Sequence, residues 1–313
     1  MGRHWRVIKA IAATLATVLV VAGCGDDDDN GDDDGNGQES SNLDLSGAAW
    51  LGDDRFLAVH DAKNPDEIDN PRLSLLRLPT SLAGVESTEV EIEWPEPLGK
   101  SNDLESADRV PGTNKVLFAE SGDDGGDYQR IFEAEFDDDG LELVSTADWP
   151  KPVHNVEAIA VGQAGEQLVF LYAERAQGKP NTRIAWATFT LDPLRFGKFR
   201  SVRYGSPEPK GSQARPVTAL TVDSAGAIYA GSASDPDVDD GPFSGFVWRI
   251  GELRAAGKQP AVVLNDQPEL LATMDGFKVE AVVVSETDDG PVVLVGTDDE
   301  FYGATLRPLL PTP

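Results

Sequence analysis

One short phrase recurs five times along the 313 residues, and it constrains the fold more than any other feature. The clearest copy is Asn155-Val156-Glu157-Ala158-Ile159-Ala160. The others are Asp44-Leu45-Ser46-Gly47-Ala48, Asp103-Leu104-Glu105-Ser106-Ala107, Pro216-Val217-Thr218-Ala219-Leu220 and Lys278-Val279-Glu280-Ala281-Val282. Each gives a branched aliphatic, then Glu, Ser or Thr, then a small residue, then an apolar run. The copies recur every 52 to 62 residues. A repeat of about this length marks a propeller or another stacked array, in which neighbouring units bury one another's apolar faces.

Each phrase opens a unit of short strands. A turn rich in Gly, Asp or Asn follows it, and then a second apolar strand: Arg55 to Asp61, Lys115 to Glu120, Gln167 to Ala173, Ala227 to Gly231 and Pro291 to Gly296. Third strands are expected at Arg72 to Leu78, Arg130 to Phe136, Arg183 to Thr190, Gly245 to Ile250 and Gly303 to Arg307. Fourth strands are expected at Thr88 to Trp94, Leu141 to Trp149, Gly197 to Arg203 and Ala261 to Leu264 or a little later. Antiparallel four-stranded units repeated radially are propeller blades. The fold class is therefore all-β: a β-propeller of five four-stranded blades, with six the alternative. The last unit shows no fourth strand of its own. The stretches Pro65 to Asn70 and Ile250 to Ala256 could each hold a helical turn or two inside a loop. Trp50, Trp94, Trp149, Trp186 and Trp248 fall in or beside strands and read as packing between blades.

The first 42 residues stand apart. Arg3, Arg6 and Lys9 precede an apolar stretch from Ile11 to Ala22, too short for a comfortable membrane span. The stretch ends Val21-Ala22-Gly23-Cys24, which resembles the lipobox of bacterial lipoproteins. That resemblance implies cleavage after residue 23 and a diacylglycerol on the Cys24 thiol. Cys24 is the only cysteine, so no intrachain disulfide can form. Residues 24–42 are rich in Asp, Gly, Asn and Ser, which predicts a disordered tether with a reach of roughly 25 Å. Asp26, Asp28, Asn30 and Gly31 match the start of a calcium loop, but Gly37 stands where such a loop needs a bidentate Glu. The domain division is thus 1–23 signal, 24–42 lipidated tether and 43–313 propeller. The expected address is the lipid bilayer of a bacterial membrane, facing the periplasm or the exterior.

Charge narrows the partners. The formal net charge is −29, and losing the signal's three basic residues makes it more negative still. Nucleic acid is excluded as a partner by this balance. Acidic surfaces favour a soluble monomer and attract cations.

In a propeller the first strand of each blade lines the central channel. Glu105, Glu157 and Glu280 hold the same place in three blades, and Ser46 and Thr218 hold it in the other two. Gathered at one channel mouth, three carboxylates must protonate, pair with Arg or Lys, or bind a cation. Hard oxygen donors of this kind suit Ca²⁺. The second strands lead into further candidates on the same face: His60, Asp61, Asp123, Glu174-Arg175, Ser232 and Thr297 to Glu300. Asp123 to Asp127 and Asp235 to Gly241 are the most acidic loops. No nucleophile elbow, phosphate-cradling loop or zinc-protease helix motif occurs. The mature chain holds only His60 and His154; a His60–Asp61 pair could serve acid–base work.

With Asp103-Leu104-Glu105-Ser106 and Leu45-Ser46-Gly47-Ala48-Ala49-Trp50, the Val156-Glu157 phrase resembles the strand starts of phytase-like and related bacterial calcium-binding propellers. The resemblance implies an exported propeller whose channel-mouth acids Glu105, Glu157 and Glu280 bind Ca²⁺. Ala or Ser stands here where Gly follows the Glu in those proteins, and no basic cluster for a polyphosphorylated substrate is visible. The expected function is a membrane-tethered propeller that binds a ligand or envelope partner on its channel face with Ca²⁺. The alternatives are a calcium-dependent phosphoester or ester hydrolase and a scaffold subunit of an envelope complex.

Overall fold

The computed structural model describes residues 45–309, except 63–68, 79–84, 124–126, 139, 239–240, 258, 288–289 and 300–302. Cys24, the tether and most of Pro65 to Asn70 lie outside the described residues. Five antiparallel sheets follow one another along the chain. The first holds β1 (Gly47–Gly52), β2 (Arg55–Val59), β3 (Leu73–Arg77) and β4 (Glu86–Glu89). The second holds β5 (Leu104–Arg109), β6 (Lys115–Glu120), β7 (Arg130–Phe136) and β8 (Leu141–Asp148). The third holds β9 (Val156–Ala164), β10 (Gln167–Glu174), β11 (Thr182–Thr190), and β12 (Arg195–Phe196) and β13 (Arg200–Tyr204), which both pair with β11. The fourth holds β14 (Ala214–Val222), β15 (Ala227–Ser234), β16 (Ser244–Ala256) and β17 (Gln259–Asp275). The fifth holds β18 (Val279–Thr287), β19 (Gly290–Asp298) and β20 (Ala304–Pro308), three strands among the described residues.

The five opening strands form the inner ring. β1 lies beside β5, β5 beside β9, β9 beside β14, β14 beside β18, and β18 beside β1 again. The chain is thus a closed five-bladed β-propeller, and each recurring phrase begins one inner strand. Closure needs close approach at the axis. A Cβ on Gly47 of β1 would stand 2.7 Å from Ser106 Cα and 2.9 Å from Glu105 O. No side chain fits that gap.

The core divides along the same plan, with one apolar cluster in each seam between blades. Leu57, Val59 and Leu73 meet Phe118 and Phe132 between blades one and two. Trp149 and Val153 meet Phe170 and Tyr172 between two and three. Leu171 and Trp186 meet Trp248 and Ile250 between three and four. Tyr229 and Val247 meet Val282 and Val295 between four and five. Leu45, Phe56 and Ala58 meet Val283, Leu294 and Leu306 between five and one. Burying each such large side chain contributes about 1.5–3 kcal/mol, so every seam is held by several of these terms together. The tryptophans bridge seams as expected. Trp149 packs against Phe170 and Tyr172 of the next blade, with centroids 5.7 and 5.0 Å apart, and Trp186 Nε1 donates to Pro260 O of the next blade at 3.3 Å.

Two local expectations are corrected. Ile250 to Ala256 is not helical: it continues β16, pairing with Gln259 to Leu264 of β17 across a turn at Gly257, whose φ is 66°. Leu253 and Val262 bury against the seam while Glu252 and Arg254 face solvent, so strand periodicity overrides the helical propensity of Glu-Leu-Arg-Ala-Ala. The fourth strand of blade one spans Glu86–Glu89 rather than Thr88 to Trp94. The chain leaves the ladder after Val90 N bonds Leu73 O, and Trp94 packs edge-on against Phe132 with centroids 5.4 Å apart.

Candidate functional site

The inner strands begin at what we term the front mouth of the channel and end at the rear mouth. Backbone register explains why the phrase repeats. In β5, Leu104 pairs with Glu120 and Ser106 with Ala119, so Glu105 is an extra residue with no partner across the ladder. The same slip falls at Glu157, between Val156 and Ala158, and at Glu280, between Val279 and Ala281. In β14 three residues, Pro216 to Thr218, oppose the single Ser232. These are β-bulges, which bend a strand and re-aim the side chain of the added residue. The small residue after the Glu lets the strand resume at the crowded axis. β1 enters without a slip; Gly47 pairs with Val59 directly.

Two bulge carboxylates converge on one arginine from a third blade. Arg215 donates from Nη2 to Glu157 Oε2, and from Nη1 to Glu280 Oε1 at 2.8 Å and Asp235 Oδ2 at 3.0 Å. The arginine is 4% exposed, and Glu157 and Glu280 are 2% and 8% exposed. Lys278 Nζ lies 2.9 Å from Asp298 Oδ2 and 3.8 Å from Glu280 Oε1. Arg175 Nε stands 3.6 Å from Glu157 Oε1. Among the described residues, two buried atoms here, Glu157 Oε1 and Arg215 Nε, have no hydrogen-bond partner.

The charge balance sets the protonation. Burial opposes a charged Arg215, but Glu157, Glu280 and Asp235 hold its pKa well above the ordinary arginine value. Burial raises Glu280 to about 7, helped by Glu157 and Asp298 and opposed by Arg215 and Lys278. Burial would raise Asp235 as well, yet the Asp237 N–H and Arg215 bring it below the usual carboxylate range. Three carboxylates thus crowd one guanidinium, with Lys278 and Arg175 alongside, and Glu280 is the carboxylate that burial holds highest among them.

The third bulge carboxylate faces a different group. Glu105, Asp61 and Asp103 each offer an oxygen, and these atoms lie within 4.8 Å of one another. Asp61 and Asp103 form an antiparallel backbone bridge between blades one and two. Asp103 is fully buried, and its Oδ2 accepts the Ser121 hydroxyl. Asp123, exposed at the rim, donates its N–H to Ser121 Oγ at 3.0 Å and accepts Asn155 Nδ2 at 3.1 Å. Ser46 Oγ accepts the Asp61 N–H at 3.1 Å.

The structure therefore brings Glu157 and Glu280 together on Arg215 and groups Glu105 with Asp61 and Asp103, with Ser46 and Asp123 alongside. Thr218 and His60 face inward to neighbours instead. Thr218 Oγ1 donates to Val279 O at 2.6 Å and joins two inner strands, and His60 Nε2 lies 2.9 Å from Ser74 Oγ in the core of blade one. Sequence reasoning did not assign roles to Arg215, Lys278 and Asp103. The signal was present: Arg215 stands directly before the fourth phrase, and Lys278 and Asp103 are the first residues of two others.

No protein-family model matches the chain, and no curated protein matches it. Solved structures with a similar path include 1,3Gal43A, an exo-β-1,3-galactanase from Clostridium thermocellum. It is 11% identical, with 84% of this chain and 58% of that one covered and a TM-score of 0.48. A GH43 endo-arabinanase from Bacillus licheniformis is 9% identical over 86% and 94% of the two chains, with a TM-score of 0.47. The Dos1 propeller is 13% identical over 85% and 59%, with a TM-score of 0.32. The five-bladed β-propeller class stands on the strand order and ring contacts of this chain.

Proposed function

We propose that the chain is an exported, Cys24-anchored monomeric propeller that captures a cationic ligand at its front mouth, with Ca²⁺ held by Asp61, Asp103 and Glu105. The observation that carries this reading is the approach of three carboxylate oxygens to within 4.8 Å of one another. Acidic side chains also outnumber the cations Arg175, Arg215 and Lys278 among the described residues of this mouth. Hard, flexible oxygen donors suit Ca²⁺, whose remaining coordination positions water would fill. The Glu157–Arg215–Glu280 assembly forms a separate wall, whose carboxylates are already paired with Arg215. The test is thermal unfolding of the purified chain with added Ca²⁺ and with chelator. A rise in midpoint with Ca²⁺ that Glu105→Gln removes supports the assignment; identical midpoints in Ca²⁺ and chelator contradict it.

A second reading rests on the Glu157–Glu280 pair. Two carboxylates share one arginine, and burial raises one of them, Glu280, to about 7, which suits a general acid. In a hydrolase of phosphate or carboxylic esters, Glu280 would supply the proton, with Glu157 beside it on the same guanidinium. Turnover of an ester panel that disappears in Glu280→Gln supports this reading. Turnover that is absent, or that survives the substitution, removes it.

A further inference from the structure

The rear mouth holds a cavity of about 370 Å³ to which all five blades contribute, through Trp50, Asp108, Gln163, Asp223 and Glu286 among others. That volume falls in the range of small-molecule sites. The cavity exists only because the ring closes, since no single blade supplies more than a few of its residues. Its walls are of two kinds. Val222 and Val284 give an apolar side on blades four and five, and three carboxylates stand around them.

The carboxylates are held by hydrogen bonds, and among the described residues none of the three forms an ion pair with a lysine or arginine. Asp108 accepts the Arg109 and Val161 N–H groups, both at 2.8 Å. Asp223 accepts Ala227 N at 2.7 Å and Tyr229 Oη at 3.0 Å. Glu286 accepts Ser224 N at 2.9 Å through Oε1, its one hydrogen bond among the described residues. Among the described residues that line the cavity, Arg109 is the one cation. Its Nε and Nη2 both donate to Thr113 O, at 3.1 and 2.9 Å, and its guanidinium lies between Trp50 and Phe136 at 5.3 and 5.2 Å. Arg109 thus belongs to the seam between blades one and two, whereas Asp223 and Glu286 sit across the ring on blades four and five. Burial with no compensating cation also raises Asp108 to about 7.

We propose that the rear mouth is a second binding site, for a small amphipathic amine whose ammonium pairs with Glu286 and Asp223 and whose apolar body lies on Val222 and Val284. The site is independent of the front mouth. A neutral polyol would find acceptors in excess and few donors, and an anion would meet the Asp223 and Glu286 side chains. An ammonium supplies three donors and the missing charge.

The probe is n-butylamine, with n-butanol and butyrate as matched controls, titrated into the purified full-length chain and followed by ligand-observed NMR. The expected result is that butylammonium binds at least tenfold more tightly than butanol, with butyrate not binding. Glu286→Gln, at a partly exposed position, is expected to weaken the amine about tenfold; Glu142→Gln, exposed on the outer strand β8, is expected to leave amine affinity unchanged. Butanol binding as tightly as the amine, or full amine affinity in Glu286→Gln, would overturn the proposal. Should Glu286→Gln unfold, Asp223→Asn gives the same two outcomes.

Discussion

The two mouths are opposite ends of the same five inner strands, and they treat charge differently. At the front, bulges project Glu157 and Glu280 out of their ladders and onto Arg215 of another blade. At the rear no slip occurs near Asp108, and its carboxylate stays in the seam, where it accepts Val161 N of the neighbouring inner strand. Ser106 does the same for Ile159 N at 3.0 Å, two residues earlier. A residue in register therefore joins two adjacent blades, and a bulged one reaches toward the axis and joins several. The front mouth gains a charge network spanning three blades. The rear keeps an open, acidic cavity.

Breaking the front network is expected to have the largest effect. Arg215→Met leaves Glu157, Glu280 and Asp235 buried without their guanidinium, a change that costs on the order of 3–5 kcal/mol. Urea unfolding checks this, and Arg215→Met combined with Glu157→Gln and Glu280→Gln should recover part of the loss. A loss below about 1 kcal/mol in the single variant would mean that the three-blade network is not a stability element.

The rear carboxylate should show itself through pH. Asp108 has its folded pKa raised from 3.8 to about 7, so the folded state holds its proton more tightly than the unfolded chain. Its contribution to stability is full below about pH 4 and is lost as pH rises through about 7. Over the two pH units below neutrality the loss approaches about 2 kcal/mol. Denaturant midpoints of Asp108→Asn should fall less steeply with pH than those of the parent; parallel profiles would place the titration elsewhere.

A smaller effect sharpens the contrast between bulged and in-register positions. Thr218 lies in a bulge, yet its hydroxyl bonds Val279 O of the next inner strand. Thr218→Val removes one buried hydrogen bond and should cost about 1 kcal/mol, read by thermal unfolding, with no change in Ca²⁺ affinity. A lost Ca²⁺ response would instead bring Thr218 into the ligand site.

Much of this architecture is legible in the residues because a local constraint repeats. Each inner strand must enter a crowded axis, so each copy carries a small residue in the same place, and three carry Glu at the bulge. That regularity gives the blades and the inner strands, and it places Glu105, Glu157 and Glu280 at one mouth. It does not say which carboxylates meet. Arg215 joins residues 58 and 65 positions away in sequence, and only ring geometry brings them within reach. Glu105 parts from the other two because blade two faces Asp61 of blade one. Ile250 to Ala256 misleads because its local propensity is helical, while its burial is decided by the seam. The rear cavity was hidden for a related reason: Asp108, Asp223 and Glu286 share no phrase and meet only when the ring closes.

The most direct measurement is calcium calorimetry on the chain lacking residues 1–23 and carrying Cys24→Ser, with Glu105→Gln and Glu286→Gln alongside. The account predicts one site, weakened at least tenfold by Glu105→Gln and untouched by Glu286→Gln. No binding to the parent chain, or binding that survives Glu105→Gln unchanged, would contradict it.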